Sequence, residues 1–97
     1  MIVQRIYVRH KPGCGEALID FLKASRAHMR DPKNMRILKP KIGTSHNTIV
    51  YEITNKSLEE NQEEWQEWLG RPETPALLKR WDQLVEDWCD EYWDVEI

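Results

Sequence analysis

Residues 2–10, Ile-Val-Gln-Arg-Ile-Tyr-Val-Arg-His, are rich in β-branched side chains and end at the turn signal Lys11-Pro12-Gly13. This pattern predicts a strand. From Glu16 the apolar residues Leu18, Phe21, Leu22 and Met29 recur at helical spacing, with Ala17 and Ser25 as small members, until Asp31-Pro32 stops them. A first helix follows. Residues 35–42 and 47–54 read as two strands joined across Gly43-Thr44-Ser45-His46, with Pro40 suiting the first to a sheet edge. Ser57-Leu58-Glu59-Glu60 has the form of a capping box and starts a short helix that runs to Leu69. Gly70-Arg71-Pro72 breaks it. Thr74-Pro75 starts another, with threonine at the cap and proline at the first helical position. Its stripe of Leu77, Leu78, Trp81, Leu84, Val85 and Trp88 has the spacing of a buried helix face. Residues 92–97, Tyr-Trp-Asp-Val-Glu-Ile, alternate like a final strand.

The order strand, helix, strand, strand, helix, strand is the split βαβ arrangement of ferredoxin-like α+β folds. With right-handed crossovers it implies one four-stranded antiparallel sheet, in the spatial order fourth, first, third, second, with helices on one face. At 97 residues the chain is expected to be one domain, residues 1–97, small enough for a subunit interface to supply some of its burial.

Strand alternation then sorts side chains by face. Ile2, Ile6 and Val8 share a side with Gln4 and His10 and are expected under the helices, as are Ile49, Tyr51 and Ile53 on the third strand. Trp93, Val95 and Ile97 are assigned to that same side on the fourth. The opposite face carries Arg5, Tyr7 and Arg9, between Glu52 on one neighbour and Asp94 and Glu96 on the other. Cross-strand opposite charges agree with the strand order. This charged face is either solvated in a monomer or enclosed in a barrel by a second copy packed sheet to sheet.

Charge is uneven along the chain. Residues 1–56 hold 11 Lys/Arg against 4 Asp/Glu, giving +7, and residues 57–97 hold 3 against 13, giving −10, which together make the net −3. The basic half has no dense run and no aromatic RNA-binding motif, so no nucleic-acid partner is expected. Glu59, Glu60, Glu63, Glu64 and Glu67 follow helical spacing as a solvated outer face. No apolar run approaches the roughly 18 residues of a membrane span. The start Met-Ile-Val-Gln-Arg lacks a secretory layout, so the expected location is cytoplasmic. Cys14 and Cys89 read as free thiols, one at the start of the first helix and one at the end of the last. His10, His28 and His46 have no metal-ligand spacing, so no metal is expected.

All five tryptophans lie in the last third of the chain. Trp81, Trp88 and Trp93 are assigned to the core. Trp65 and Trp68 on the short helix are the pocket candidates, and Trp68 is the better of the two.

The chain resembles the dimeric α+β barrel proteins, and within them the antibiotic-biosynthesis monooxygenase-like group. The resemblance rests on the initial Met-Ile-Val strand, Lys11-Pro12-Gly13 leading into residues 16–22, Ile49-Val50-Tyr51-Glu52, the helix with Trp65 and Trp68-Leu69, and the Pro72 break. It implies a homodimer formed through sheet faces, with a cavity between sheet and helices. It also implies a small aromatic ligand, which some members oxidise with oxygen and no cofactor. Members often have histidine before the leucine of the second helix, where this chain has Trp68, and no histidine follows His46, so haem ligation is not expected.

For such chemistry Arg5 or Arg9 would hold a phenolate, Tyr7 or Tyr51 would hydrogen-bond it, and Trp65 and Trp68 would stack on its ring, with Glu52 beside them. His10, near the rim, would serve as acid or base. The competing readings are a non-enzymatic binding or regulatory module of the same fold and a purely structural role, in which arginine pairs with Glu52 while the tyrosines and tryptophans pack.

Overall fold

The computed structural model describes residues 1–43 and 45–97. Strand β1 spans Ile2–His10 and helix α1 Gly15–Arg26. After a 3-10 turn at Pro32–Asn34 come β2, Met35–Leu38, and β3, Thr48–Asn55. Helices α2, Leu58–Leu69, and α3, Thr74–Leu84, precede β4, Val85–Asp94. The sheet order is β2-β3-β1-β4 with every pairing antiparallel, as a ferredoxin-like α+β fold requires. The expected turn at Gly43–His46 includes Thr44, which lies outside the described residues.

Local chemistry accounts for the element ends. The Ser57 hydroxyl accepts from the Glu60 N–H at 3.2 Å while Glu60 Oε2 reaches back to the Lys56 N–H at 3.1 Å, so the cap closes one residue further out than a standard box. β2 stops at Leu38, short of the expected residue 42; Pro40, which follows closely, has no N–H to give a ladder. α1 stops at Arg26, short of the expected Met29. There the Arg26 Nε donates to the carbonyls of Pro32 (2.7 Å) and Met35 (3.1 Å), pinning the helix end to the start of β2. α1 begins over the end of β1, where a Cβ on Gly15 would come within 3.0 Å of His10 Nε2, so glycine permits the close approach.

The largest departure from the sequence expectation is at the end of α3. The stripe from Leu77 to Trp88 does not continue as helix: the backbone becomes extended at Val85 (φ −112°, ψ 132°) and pairs with β1 along its whole length, from His10↔Val85 to Ile2↔Asp94. A helix running to Trp88 would leave the groups of Val8 to His10 unpaired on that side, and buried backbone groups need partners. It would also crowd Glu86 and Asp87 at a helix C-terminus, against the helix dipole. Cys89 accordingly sits within β4 and not at a helix end.

This register also reverses the expected faces of the last strand. Tyr92 lies opposite Gln4, and Trp88 opposite Val8, so both face the helices. Trp93 lies opposite Val3 on the open face, where it is 54% exposed, and is not a core residue. The acids flanking the arginines on this side are Glu91 and Asp87, in place of Asp94 and Glu96.

Ile6, Val8, Ile49 and Ile53 of the sheet meet Leu18, Ile19 and Leu22 of α1, and Leu84 closes one end. Trp81 packs on this core, tilted against Phe21 with ring centroids 6.1 Å apart. Truncating fully buried Leu18 removes contacts that the surrounding sheet and helices cannot replace. Leu18→Ala is expected to cost about 2–5 kcal/mol, read from the urea midpoint at an unchanged slope.

Candidate functional site

A cavity of about 530 Å³ lies between the covered face of the sheet and the helices. Gln4, Ile6, Tyr51, Ile53 and Tyr92 line it from the sheet. Phe21 and Leu22 of α1, Trp65 and Trp68 of α2, and Leu78 and Trp81 of α3 line it from the helices. Trp88 completes the lining from β4 and stays 55% exposed, because no helix covers this edge strand fully.

The two tryptophans of α2 meet edge to face, with centroids 5.8 Å apart and an interplanar angle of 85°. Such a pair presents one ring face and one ring edge to its surroundings. The break after α2 is held by Thr74, whose hydroxyl donates to the Trp68 carbonyl. Thr74 thus anchors the end of α2 from inside and does not cap α3, whose N-cap is Glu73 with no side-chain hydrogen bond.

A polar network, buried at Gln4, Asn55 and Asn61 and reaching exposed Asp90 and Tyr92 on the edge strand, stands behind the apolar wall. Gln4 Oε1 accepts from the Trp65 indole N–H at 2.7 Å and from Asn61 Nδ2 at 3.1 Å, while Gln4 Nε2 donates to Asp90 Oδ2 at 2.9 Å. Asn61, with no exposed surface, also donates to Asn55 Oδ1 at 3.0 Å, and its Oδ1 accepts from the Tyr92 hydroxyl at 3.3 Å. Each bond contributes only about 0.5–1.5 kcal/mol net, but a buried amide without partners would cost more. The network therefore fixes the Trp65 ring and the angle of α2 over the sheet. Burial pushes the Tyr51 phenol above its ordinary range, and the Asp90 carboxylate adds to the shift. Tyr92 is raised by the same two causes.

Charged groups gather at the mouth. Arg30 Nε donates to Glu67 Oε2 at 2.9 Å, and this hydrogen bond holds Glu67 below the usual carboxylate range. Burial pushes the neighbouring Glu64 up.

The expected site residues divide between two places. Trp65, Trp68 and Tyr51 come together at the cavity. Arg5, Tyr7, Arg9 and Glu52 lie on the opposite face of the sheet and are not brought to it. There Glu52 accepts from Arg5 Nε at 2.7 Å and from Arg36 Nε at 3.0 Å, Tyr7 donates to Glu91 Oε1 at 2.7 Å, and Arg9 pairs with Asp87. His10 is buried beside Gly15, with its Nδ1–H donated to the Lys11 carbonyl at 2.8 Å, and does not line the cavity. Gln4, Asn61, Asp90 and Tyr92 were missed. The signal for Gln4 and Asn61 was present, since each is a polar residue on an otherwise apolar stripe: Ile2, Ile6, Val8 for one and Leu58, Trp65 for the other.

Among the described residues, no three His, Cys, Asp or Glu side chains gather as a metal site. Among the described residues no helix is long and apolar enough to cross a membrane.

Solved structures match this geometry over nearly the whole chain. A NIPSNAP family protein of unknown function from Agrobacterium tumefaciens superposes with a TM-score of 0.79 at 18% identity, over 96% of this chain and 86% of that one. An uncharacterized NIPSNAP domain protein from Burkholderia xenovorans gives 0.71 at 14% identity, over 98% and 94%. A protein from Chloroflexus aurantiacus, described as a candidate antibiotic biosynthesis monooxygenase, gives 0.61 at 16% identity, over 94% and 91%. The shared property is the fold. No family model matches the chain, and no curated protein matches its sequence.

Glu52 sets the acid behaviour of the open face. Burial pushes its carboxyl up, but the hydrogen bonds from Arg36 and Arg5 outweigh this and hold it below the ordinary carboxylate range. A depressed folded-state pKa contributes stability that is complete above the unfolded value, about 4.3, and is lost as pH falls through the folded value. Glu52→Gln is therefore expected to destabilise the protein at pH 7 and to flatten the loss between about pH 5 and pH 3. Urea unfolding across that interval measures both; an unchanged acid limb in the variant would show that Glu52 carries no linkage.

Proposed function

We propose that this chain is a small-molecule-binding protein of the dimeric α+β barrel kind, holding an aromatic ligand between sheet and helices. The observation that carries the reading is the cavity itself. Its volume lies within the roughly 300–1,000 Å³ typical of ligand pockets, and its walls are mainly apolar and aromatic, with Gln4 and Tyr51 as polar groups on the sheet side. The fold shared with a candidate antibiotic biosynthesis monooxygenase supports the same reading.

Binding is favoured over oxygenation of a bound phenolate because Arg5 and Arg9 lie across the sheet from the cavity, and the arginines that line it, Arg30 and Arg71, both act on Glu67 at the mouth. Titration with 1-naphthol is expected to quench tryptophan fluorescence saturably, without oxygen uptake. Trp68→Ala should weaken binding about three- to tenfold through lost ring contact. Absence of saturable quenching would remove the binding reading, while sustained oxygen uptake with polyphenols would replace it with the enzymatic one.

The open face supports a homodimer. Across the four strands one row reads Arg36, Glu52, Arg5, Glu91, alternately positive and negative. A two-fold axis lying between the sheets and parallel to the strands reverses this row. Arg36 then meets Glu91 of a second copy, and Glu52 meets Arg5 of that copy. Exposed Trp93, Val95 and Leu38 supply apolar area around it. Because Glu52 is already neutralised by two arginines, covering the row costs less than burying bare charges. Light scattering is expected to show a dimer at micromolar concentration, converted to monomer by Trp93→Arg. A wild-type monomer would overturn this assembly.

A further inference from the structure

The sheet side of the cavity specifies its ligand more closely, an inference that rests on the binding reading. On the covered face one cross-strand row runs Ile37, Tyr51, Ile6, Asp90. Adjacent strands lie about 4.8 Å apart, so the Tyr51 and Asp90 backbones are separated by about 10 Å, with Ile6 between them. Of the buried side chains on the cavity floor, two carry polar groups, Gln4 and Tyr51. Gln4 is committed through both ends of its amide, to Asp90 on one side and to Trp65 and Asn61 on the other. Tyr51 is only 8% exposed and lines the cavity, and among the described residues no side-chain hydrogen bond engages its hydroxyl; the fully buried polar atom without a partner is instead Asn55 Nδ2, outside the cavity lining.

A buried phenol that stays protonated is a donor in search of an acceptor. The Asp90 carboxylate, exposed on the edge strand beside the floor, adds to the upward shift that burial gives Tyr51 and Tyr92, and on the cavity lining the carboxylates Glu64, Glu67 and Asp82 outnumber Arg30 and Arg71. An anionic ligand placed against this floor would be repelled as well as desolvated. Of the two arginines on the lining, Arg30 is paired with Glu67 and Arg71 acts on the same carboxylate. We propose that the Tyr51 hydroxyl donates a hydrogen bond to the carbonyl oxygen of an uncharged aromatic ligand, and that Asp90 disfavours carboxylate and phenolate ligands at the same place. The occupant is then an aromatic ketone or aldehyde, distinguished from its acid by charge and from its hydrocarbon by one hydrogen bond.

NMR titration of the full chain with 2-acetylnaphthalene, 2-ethylnaphthalene and 2-naphthoate tests this. The ketone is expected to bind about three- to tenfold more tightly than the ethyl compound of similar shape. Tyr51→Phe should abolish that difference while leaving 2-ethylnaphthalene affinity unchanged, which also shows the cavity intact. Naphthoate should bind most weakly and gain affinity in Asp90→Asn. If ketone and hydrocarbon bind wild type alike, or naphthoate matches the ketone, the inference fails while the binding reading stands. A ketone preference that survives Tyr51→Phe removes Tyr51 as the donor, and naphthoate affinity unmoved by Asp90→Asn removes Asp90 as the discriminator. If none of the three binds, the binding reading itself fails and the inference falls with it. Should Tyr51→Phe disturb packing, the wild-type comparisons alone decide.

Discussion

Strand β1 is paired on both sides along nearly its whole length, and that constraint organises the molecule. A central strand must find partners for every N–H and C=O on both edges, and its side chains must point alternately to two environments. β1 answers with Gln4, Ile6 and Val8 on one side and Val3, Arg5, Tyr7 and Arg9 on the other. Its neighbours inherit the same parity. On β3 this sends Tyr51 to the cavity and Glu52 to the open face, one residue apart in the chain and on opposite sides of the sheet. Demand for pairing on the other edge ends α3 at Leu84 and extends the chain from Val85 onward.

The parity of β4 follows from that ladder, and explains why the fold was legible in the sequence while part of the site was not. Order, strand arrangement and the helix start capped by Ser57 depend on local chemistry, which a single sequence displays, whereas the Thr74 hydroxyl turns to the Trp68 carbonyl and leaves α3 without a side-chain cap. The end of α3 depends on what β1 lacks. Leu77, Leu78, Trp81, Leu84, Val85 and Trp88 satisfy a helical period as well as a helix followed by a strand, and only the unpaired edge of β1 decides between them. Reading Tyr92–Ile97 in isolation fixed its alternation but not its register against β1. A one-residue change of parity exchanges every side chain between faces, and that exchange moved Trp93 outward and Tyr92 inward.

The buried amides raise a different question. Gln4 and Asn61 occupy stripe positions where leucine would be the simpler choice, and an apolar pair of similar volume is often no less stable than a polar network. What amides provide is direction. The Gln4 carbonyl oxygen fixes the Trp65 indole N–H, the Gln4 amide nitrogen reaches Asp90, and Asn61 ties α2 to both β3 and β4. An apolar contact would hold α2 near the sheet, whereas these bonds set which edge of Trp65 faces inward and keep a space open beside it. The cavity is thus shaped by polar anchoring behind an apolar wall, a feature that hydrophobic periodicity cannot reveal because it enters the pattern as two exceptions.

The two sides of the sheet carry separate electrostatics. Row by row, the open face balances its arginines with Glu52, Glu91 and Asp87, leaving those cations committed to partners on their own side. The covered face has Asp90 acting on two phenols, with Gln4 between that carboxylate and the indole. A sheet one residue thick therefore divides a surface rich in paired charge from a pocket whose floor carries a neutral phenol, Tyr51. The arginines of β1 and β2 serve the first side, while on the second Arg30 and Arg71 stand at the cavity mouth beside Glu67 and the floor offers the Tyr51 hydroxyl. Since the volume able to enclose a ligand is on the second side, Arg5, Arg9 and Arg36 do not reach it, and on the proposed reading the Tyr51 hydroxyl selects what the site accepts.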